Sequence, residues 1–245
     1  WCAPNRRLLV GVDADAIQFR IAAHYINDPS LIEKIINGKK SDGTDPHSYN
    51  KRVIGDFCKS RDASKRTLFS LILGGGIPKL AEILGCDHGQ AEQGRDNLYH
   101  EYPGLVRLKQ EIVVDDARRG FFIGLDGREV PIPGSTFSER KHLCPSGYLQ
   151  CGEAVIMKHA LLRSKEILRK DKELLDISWF LVNLVHDEYQ TEGPNNIQLM
   201  LKIARAQADA IRQVGEELGC RCPLAGSYLN DEQDFTIGTN WYQTH

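Results

Sequence analysis

Two strand-like segments in the C-terminal part of this 245-residue chain are separated by only two residues. The apolar run at residues 179–185 precedes His186-Asp187, and a second strand-like segment, residues 188–191, follows at once. A two-residue connection typically joins adjacent antiparallel strands, so these segments predict a β-hairpin with His186 and Asp187 at its tip. A carboxylate beside buried strands is costly unless something pairs with it, which makes Asp187 a candidate functional residue.

A further apolar strand is predicted near the start of the chain, over residues 8–12, and it ends at Asp13. If this strand lies beside the hairpin in one sheet, the carboxylates of Asp13 and Asp187 converge. Two converging carboxylates with other oxygen donors nearby would bind Mg²⁺. The alternative is that both are turn residues whose carboxylates accept hydrogen bonds from backbone N–H groups, and the pattern alone leaves both interpretations open.

Between these strands the sequence is predominantly helical, from residue 47 to residue 120. One predicted helix begins at Ser60 or Arg61 and ends near Leu73, and it places Arg61, Lys65 and Phe69 on one stripe at i, i+4 and i+8. The opposite side of this helix is predicted to be its buried face and carries Leu68, Leu71 and Ile72. A cationic stripe is usually just solvated, but His47 on the preceding helix favours the competing interpretation, which is polyphosphate binding.

The remaining segments complete an α+β prediction. Residues 121–124 and 129–132 predict a short hairpin with an Asp-Gly turn, and residues 146–170 predict a long helix. A last long helix is predicted to begin at Pro194 and to end near Leu218. The order of a strand, a helical insertion, and then strands with helices predicts a small antiparallel sheet interrupted by a helical subdomain.

Composition excludes several other classes of protein. No window approaches the ~18 consecutive apolar residues of a membrane span. The sequence also lacks the pattern of a signal peptide, a charged segment followed by an apolar stretch. The formal net charge is -2, so a nucleic-acid surface would have to be local. Seven cysteines at irregular spacing indicate free thiols rather than a disulfide framework or a zinc site.

Six segments together resemble DNA polymerases of family A, and they occur in that family's order. Residues 11–24 resemble motif A, Arg61-x₃-Lys65-x₃-Phe69 resembles motif B, and residues 185–188 resemble motif C. Three further matches are Pro46-His47, residues 125–128, and Asn240-Trp241-x₃-His245. The resemblance spans essentially the whole chain and is closest to the phage replicative members.

The resemblance implies a right-hand polymerase palm, a small antiparallel sheet backed by helices, with a helical fingers subdomain inserted into it. Residues 1–28 and 121–245 would form the palm, and residues 29–120 the fingers. The thumb and exonuclease domains of the family are expected to be absent. Because the chain also opens on Trp1 rather than on Met, we expect either a fragment or one half of a polymerase whose other half is a separate chain.

The implied activity is template-directed DNA synthesis, in which a deoxynucleotide is transferred to a primer 3′-hydroxyl by two-metal catalysis. Asp13, Asp187 and the Ala14 carbonyl would bind two Mg²⁺ ions. Lys65 would protonate the departing pyrophosphate. The incoming dNTP would be bound by Arg61, Lys65, Phe69, His47 and Gln18.

Two of these positions carry specificity in the family. Gln18 stands where the family usually has the glutamate that crowds the sugar 2′ position, and the Phe or Tyr at the position of Phe69 governs chain terminators. The primer–template DNA would be contacted by Gln150, His186, Glu188 and Arg128.

The resemblance also implies partners and alternatives. A second polypeptide would carry the thumb and N-terminal domains, a processivity factor is a further candidate, and the expected location is the cytoplasm, that of the host cell for a viral member. Without a partner, the N-terminal strand and one face of the palm are expected to expose apolar surface. The alternatives are a non-catalytic DNA-binding or assembly subunit, against which the intact Asp13, Lys65 and Asp187 count, and a two-metal nuclease, in which the cationic stripe has no role.

Overall fold

The computed structural model of the chain describes residues 1–175, 177–230 and 234–244, and it contains strands and helices in the predicted order. The strands are β1 (Arg7–Ala14), β2 (Phe121–Ile123), β3 (Glu129–Pro131), β4 (Phe180–Val185), β5 (Glu188–Pro194), β6 (Gly226–Ser227) and β7 (Ile237–Gly238). The helices are α1 (Ile17–Ile26), α2 (Pro29–Asn37), α3 (Pro46–Ile54), α4 (Arg61–Ile72), α5 (Ile77–Leu84), α6 (His88–Glu101), α7 (Pro103–Arg107), α8 (Val113–Arg119), α9 (Phe137–Leu168) and α10 (Ile197–Glu217). A π-helical turn, Leu108–Ile112, joins α7 to α8, and a 3₁₀ turn, Trp241–Gln243, follows β7. This organisation confirms the α+β prediction.

The main sheet is antiparallel and has the strand order β4-β5-β1-β6, with β7 also paired to β1. Leu9, Val10 and Val12 of β1 are fully buried. Helix α10 packs against β1, β5 and β6. The expectation that the N-terminal strand exposes apolar surface is therefore wrong, because β1 lies in the interior of the sheet, where these three residues are buried and Leu8 is half-buried.

Both predicted hairpins form. Strands β4 and β5 pair antiparallel up to Val185 opposite Glu188, which leaves His186 and Asp187 as the two-residue connection. His186 has a φ of 53°, a left-handed conformation that few non-glycine residues adopt. Strands β2 and β3 pair in the same way, and Gly127 in their connection has a φ of 80°.

Two predicted helix starts are wrong. Helix α9 begins at Phe137, nine residues before the predicted start at residue 146, and it continues through Pro145. Pro194 does not open the last helix but ends β5, and α10 begins at Ile197 after Asn196, whose side chain accepts hydrogen bonds from two backbone N–H groups of the first turn. Pro194 suggested a helix start that strand pairing and the Asn196 cap set elsewhere, whereas α9 contains Pro145 in its interior.

The chain divides into two units. The sheet unit consists of residues 1–18 and the described residues from 152 onwards, and the helical unit consists of residues 19–151. Within the helical unit, α4 packs against α3 and α5 and buries Leu68, Leu71 and Ile72, as predicted. The predicted division into palm and fingers stays a proposal, which we take up below.

Composition led to two further expectations, the lack of a membrane span and the presence of free cysteine thiols. Among the helices that the structure describes, none combines the length and hydropathy that crossing a bilayer requires. The seven cysteines all lie in the described ranges, and each is a free thiol.

Candidate active site

Antiparallel pairing in the sheet unit brings the two predicted metal-binding aspartates to neighbouring backbone positions. Asp13 lies directly opposite Glu188, and the Ala14 N–H donates a hydrogen bond of 2.9 Å to the Asp187 carbonyl oxygen. Asp13 is exposed and Asp187 is half-buried. The C-terminal end of β1 and the β4–β5 connection thus bring Asp13, Ala14 and Asp187 together, although 173 residues lie between the two aspartates in sequence.

The donor chemistry at these three residues fits a hard divalent cation. Two carboxylates and a backbone carbonyl are the oxygen ligands that Mg²⁺ prefers, and Mg²⁺ fills its remaining positions with water and substrate phosphate. Over the described residues, no group of three or more His, Cys, Asp and Glu side chains is arranged to hold a metal ion. The predicted set has only two carboxylates, so substrate and water would have to complete its coordination.

A buried polar chain extends from Glu188 to the end of the described chain. Gln190 donates its amide N–H to Glu188, and the Thr244 hydroxyl donates to Gln190 Oε1 at 2.8 Å. Gly11 allows this approach, because a Cβ there would lie only 2.0 Å from the Thr244 carbonyl oxygen. The predicted contribution of His245 lies outside the described residues.

Gln18, the predicted sugar contact, has a partner that sequence analysis did not find. Its Nε2 donates to Glu153 Oε2 at 2.8 Å. The other carboxylate oxygen of Glu153 lies 4.0 Å from His186 Nδ1 at the hairpin tip. Glu153 is buried, whereas Gln18 and His186 are exposed.

In the helical unit, Arg61 is bound to a buried aspartate at the start of α3. Its Nε and Nη2 atoms lie 2.9 and 2.8 Å from Asp45 Oδ1. The same oxygen caps α3 by accepting from the backbone N–H groups of His47 and Ser48. Burial alone would raise the pKa of Asp45, but the hydrogen bonds from Arg61 and Ser48 hold it at about 2.

His47 is buried close to the cations of α4. Burial, and after it the positive charge of Arg61, lowers the pKa of His47 to about 4, against a smaller opposing effect of Asp45. Its Nδ1 is buried and has no hydrogen-bond partner within the described part of the chain. His47 is therefore neutral near pH 7 and provides a hydrogen-bonding group rather than a charge.

Phe69 is connected to His47 through a third ring. The Phe69 and Phe19 centroids are 5.6 Å apart, and those of Phe19 and His47 are 5.0 Å apart. Phe19 is buried and Phe69 is half-buried. The structure thus gathers His47, Arg61, Lys65 and Phe69, four of the predicted nucleotide-binding residues, into one neighbourhood of the helical unit.

The predicted DNA-contacting residues are divided between the two units. His186 and Glu188 belong to the sheet unit, and Gln150 and Arg128 belong to the helical unit. Gln150 is exposed on α9. Arg128 pairs with Asp126 across the β2–β3 connection and remains largely exposed.

Three residues at these sites were missed by sequence analysis, namely Asp45, Phe19 and Glu153. A signal for Asp45 exists, because an aspartate directly before a proline that opens a helix is a typical N-cap. Phe19 follows Gln18 but carries no local sign of its contact with Phe69. The contact between Gln18 and Glu153 joins distant segments, so no periodicity or spacing reveals it.

Comparison with known proteins identifies first the fold and then the family. The whole chain matches the POL domain of Pol1 from M. smegmatis, solved in complex with DNA primer-template and dNTP, with a TM-score of 0.78, 18% identity and coverage of 41% of that chain. The fold is therefore that of a polymerase domain. Residues 1–242 match the model of DNA polymerase family A, and the chain belongs to this family.

Phage enzymes are among the relatives in sequence. The chain is 28% identical over 98% of its length to a DNA-directed DNA polymerase of Escherichia phage Phieco32, and 23% identical over 96% to that of Escherichia phage T7. It spans 40% and 33%, respectively, of the length of these two relatives. The predicted resemblance to family A and to its phage members is confirmed.

Proposed function

We propose that this chain is the catalytic palm and fingers part of a DNA-directed DNA polymerase. The palm would comprise residues 1–28 and 121–245, and the fingers residues 29–120. The observation that carries the proposal is the junction of β1 with the β4–β5 hairpin, where Asp13 and Asp187 occupy neighbouring backbone positions. Family membership and the cationic face of α4 support the same function.

Asp13, Asp187 and the Ala14 carbonyl would hold two Mg²⁺ ions. When bound, such ions lower the pKa of an attacking hydroxyl and neutralise charge on the leaving group. Strand pairing fixes the backbone on both sides of the site, so the two carboxylates would be held in place to bind the ions. In-line attack by the primer 3′-hydroxyl then forms the new phosphodiester bond and releases pyrophosphate.

The helical unit would bind the dNTP. Arg61 would contact the triphosphate as a charge, and His47, neutral near pH 7, would contact it as a hydrogen-bonding group. With a pKa of about 4, the His47 imidazole is unprotonated at neutral pH and is not a general acid there. Lys65 would therefore be the residue that protonates the pyrophosphate. Phe69 and Gln18 would face the sugar.

The DNA primer–template would be the second substrate, contacted by His186 and Glu188 beside the metal site and by Gln150 and Arg128. The full-length relatives contain more polypeptide than this chain spans. We therefore propose that further polypeptide, supplying a thumb and N-terminal domains, acts with it, and that a processivity factor is a candidate partner of the assembly.

Substitution of Asp187 tests the proposed function. In primer extension by the complete polymerase, Asp187→Asn should lower the rate by roughly 10³-fold or more, because several kcal/mol of charge stabilisation through the metal would be lost. Asp209→Asn, on the exposed face of α10 in the same unit, is the matched control and should retain the rate. Primer–template binding without any synthesis by the wild type would instead indicate the non-catalytic subunit, and it would overturn the proposal.

A further inference from the structure

Glu153 is a buried carboxylate in an unusual setting. Only 8% of the residue is exposed. Among the residues that the structure describes, its carboxylate has two polar neighbours, the Gln18 amide at 2.8 Å and the His186 imidazole at 4.0 Å. Neither is a lysine or an arginine. Burying a carboxylate is unfavourable unless its interactions compensate, so the hydrogen bond with Gln18 is a principal compensation for Glu153.

This hydrogen bond also fixes the orientation of the Gln18 amide. The amide nitrogen of Gln18 donates to Glu153, so the carbonyl oxygen on the other side of the amide faces away. Gln18 is exposed, and an exposed glutamine without a partner would retain most of its rotamer freedom. The exposed side chain is thus held at its far end by a buried anchor on α9.

We propose that Glu153 is a positioning residue that holds Gln18 against the sugar 2′ position and so sets the discrimination between deoxyribonucleotides and ribonucleotides. This inference rests on the proposed function, in which Gln18 faces the sugar of the incoming nucleotide. A 2′-hydroxyl would meet an amide that the hydrogen bond keeps in place. Without Glu153, the same amide could rotate away and admit the hydroxyl.

The experiment measures kcat/KM for a dNTP and for the matching rNTP in primer extension by the complete polymerase. Glu153→Ala should lower the dNTP-to-rNTP ratio by about tenfold or more, because a hydrogen bond to a charged group is lost. The change should come mainly from the rNTP, since the dNTP has no 2′-hydroxyl. A purely structural role would lower both efficiencies together and leave the ratio unchanged.

Two further variants separate positioning from packing. Glu153→Gln keeps an acceptor for the Gln18 amide and nearly the same volume. It should retain the ratio to within about threefold, because the hydrogen bond to Gln18 is still made. Glu166→Ala, an exposed glutamate on the same helix, is the matched control. If Glu153→Ala does not fold, Glu153→Leu removes the acceptor with less loss of volume and carries the same expectation.

The outcomes distinguish this inference from the function on which it rests. Vigorous DNA synthesis with an unchanged ratio in Glu153→Ala or Glu153→Leu overturns the role of Glu153 alone. If Glu153→Gln lowers the dNTP-to-rNTP ratio as much as Glu153→Ala does, the hydrogen bond is not the cause of the discrimination. Failure of the wild-type enzyme to extend a primer with any dNTP overturns the proposed function and this inference with it.

Discussion

Phe69 is in contact with other aromatic side chains of the helical unit. Its ring packs on the buried Phe19, which packs in turn on His47. Phe19 lies in the first turn of α1. These ring contacts limit the rotation of the Phe69 side chain, so the para carbon of its ring is held in one position.

Because that position carries no hydroxyl, we expect discrimination against dideoxynucleotides. A normal nucleotide can hydrogen-bond its 3′-hydroxyl to its own phosphate, whereas a terminator lacks this bond and Phe offers no replacement. Phe69→Tyr should relax the discrimination by roughly ten- to a hundredfold, the value of about one charge-assisted hydrogen bond. The measurement compares incorporation of each terminator with its normal nucleotide. Phe121→Tyr on β2 is the control, and equal ratios in wild type and Phe69→Tyr would contradict the assignment.

The buried His47 predicts a pH dependence of stability. Its pKa is about 4 in the folded chain against an ordinary value of 6.5, so the unfolded state binds a proton first as the pH falls. Its contribution is therefore complete above about pH 6.5 and is lost between pH 6.5 and 4, on the order of 3 kcal/mol of unfolding free energy. Asp45, with its pKa lowered to about 2, extends the loss in the same direction below pH 4.

Denaturant unfolding of the chain at pH 7.5 and pH 4.5 measures this loss. His47→Gln should remove most of the difference between the two pH values. The exposed His88→Gln on α6 is the control and should leave the difference as in wild type. Identical pH dependence in wild type and His47→Gln would show that His47 is not buried neutral.

At the scale of elements, local patterns predicted those parts of the fold that local chemistry determines. The β4–β5 hairpin followed from two strand-like segments with two residues between them. Helix α4 and its buried face followed from helical periodicity. The start of α9 did not follow, because Pro145 resembles a helix boundary and only the surrounding contacts allow it inside a helix. The same limit applies to Glu153, whose role depends on a contact between distant segments.

Strand β1 makes a prediction at this scale through Gly11. A Cβ at this position would lie 2.0 Å from the Thr244 carbonyl oxygen and 2.9 Å from Gln190 Nε2. Gly11→Ala should therefore lower the unfolding free energy by about 1–3 kcal/mol, the usual cost of overpacking, by displacing the chain around Thr244. Denaturant unfolding measures the loss. Gly76→Ala, where the nearest neighbour would be 3.7 Å away, should change stability by less than about 0.5 kcal/mol, and an equal effect of both would contradict the close approach.

At the scale of the whole molecule, one edge of the sheet is open in the described chain. Strand β4 is the terminal strand in the sheet order, and Phe180 at its start is 54% exposed. Leu175, shortly before it, is also exposed. An exposed edge with apolar side chains is a typical site for further polypeptide to pair or pack. The greater length of the relatives is consistent with such a neighbour.

We therefore expect the 245-residue chain alone to bind primer–template weakly and to synthesise little DNA. Adding the remaining polypeptide of the polymerase should tighten DNA binding by at least about tenfold, because contacts to the phosphate backbone dominate such affinity. Titration of a labelled primer–template and extension assays measure both effects. An unrelated basic protein is the control for charge alone. Processive synthesis by the isolated chain would contradict the expected need for a partner.

The ion pair between Arg61 and Asp45 has a consequence for the proposed binding of a nucleotide. Arg61 is already paired with Asp45. A triphosphate that binds Arg61 would therefore displace a carboxylate of the protein instead of an ion from the solvent. Lys65, exposed on the same stripe, has the solvent around it and would release a dissolved anion. Dissolved salt should accordingly compete with the nucleotide mainly through Lys65. Asp45 thus balances the charge of Arg61 and also caps α3.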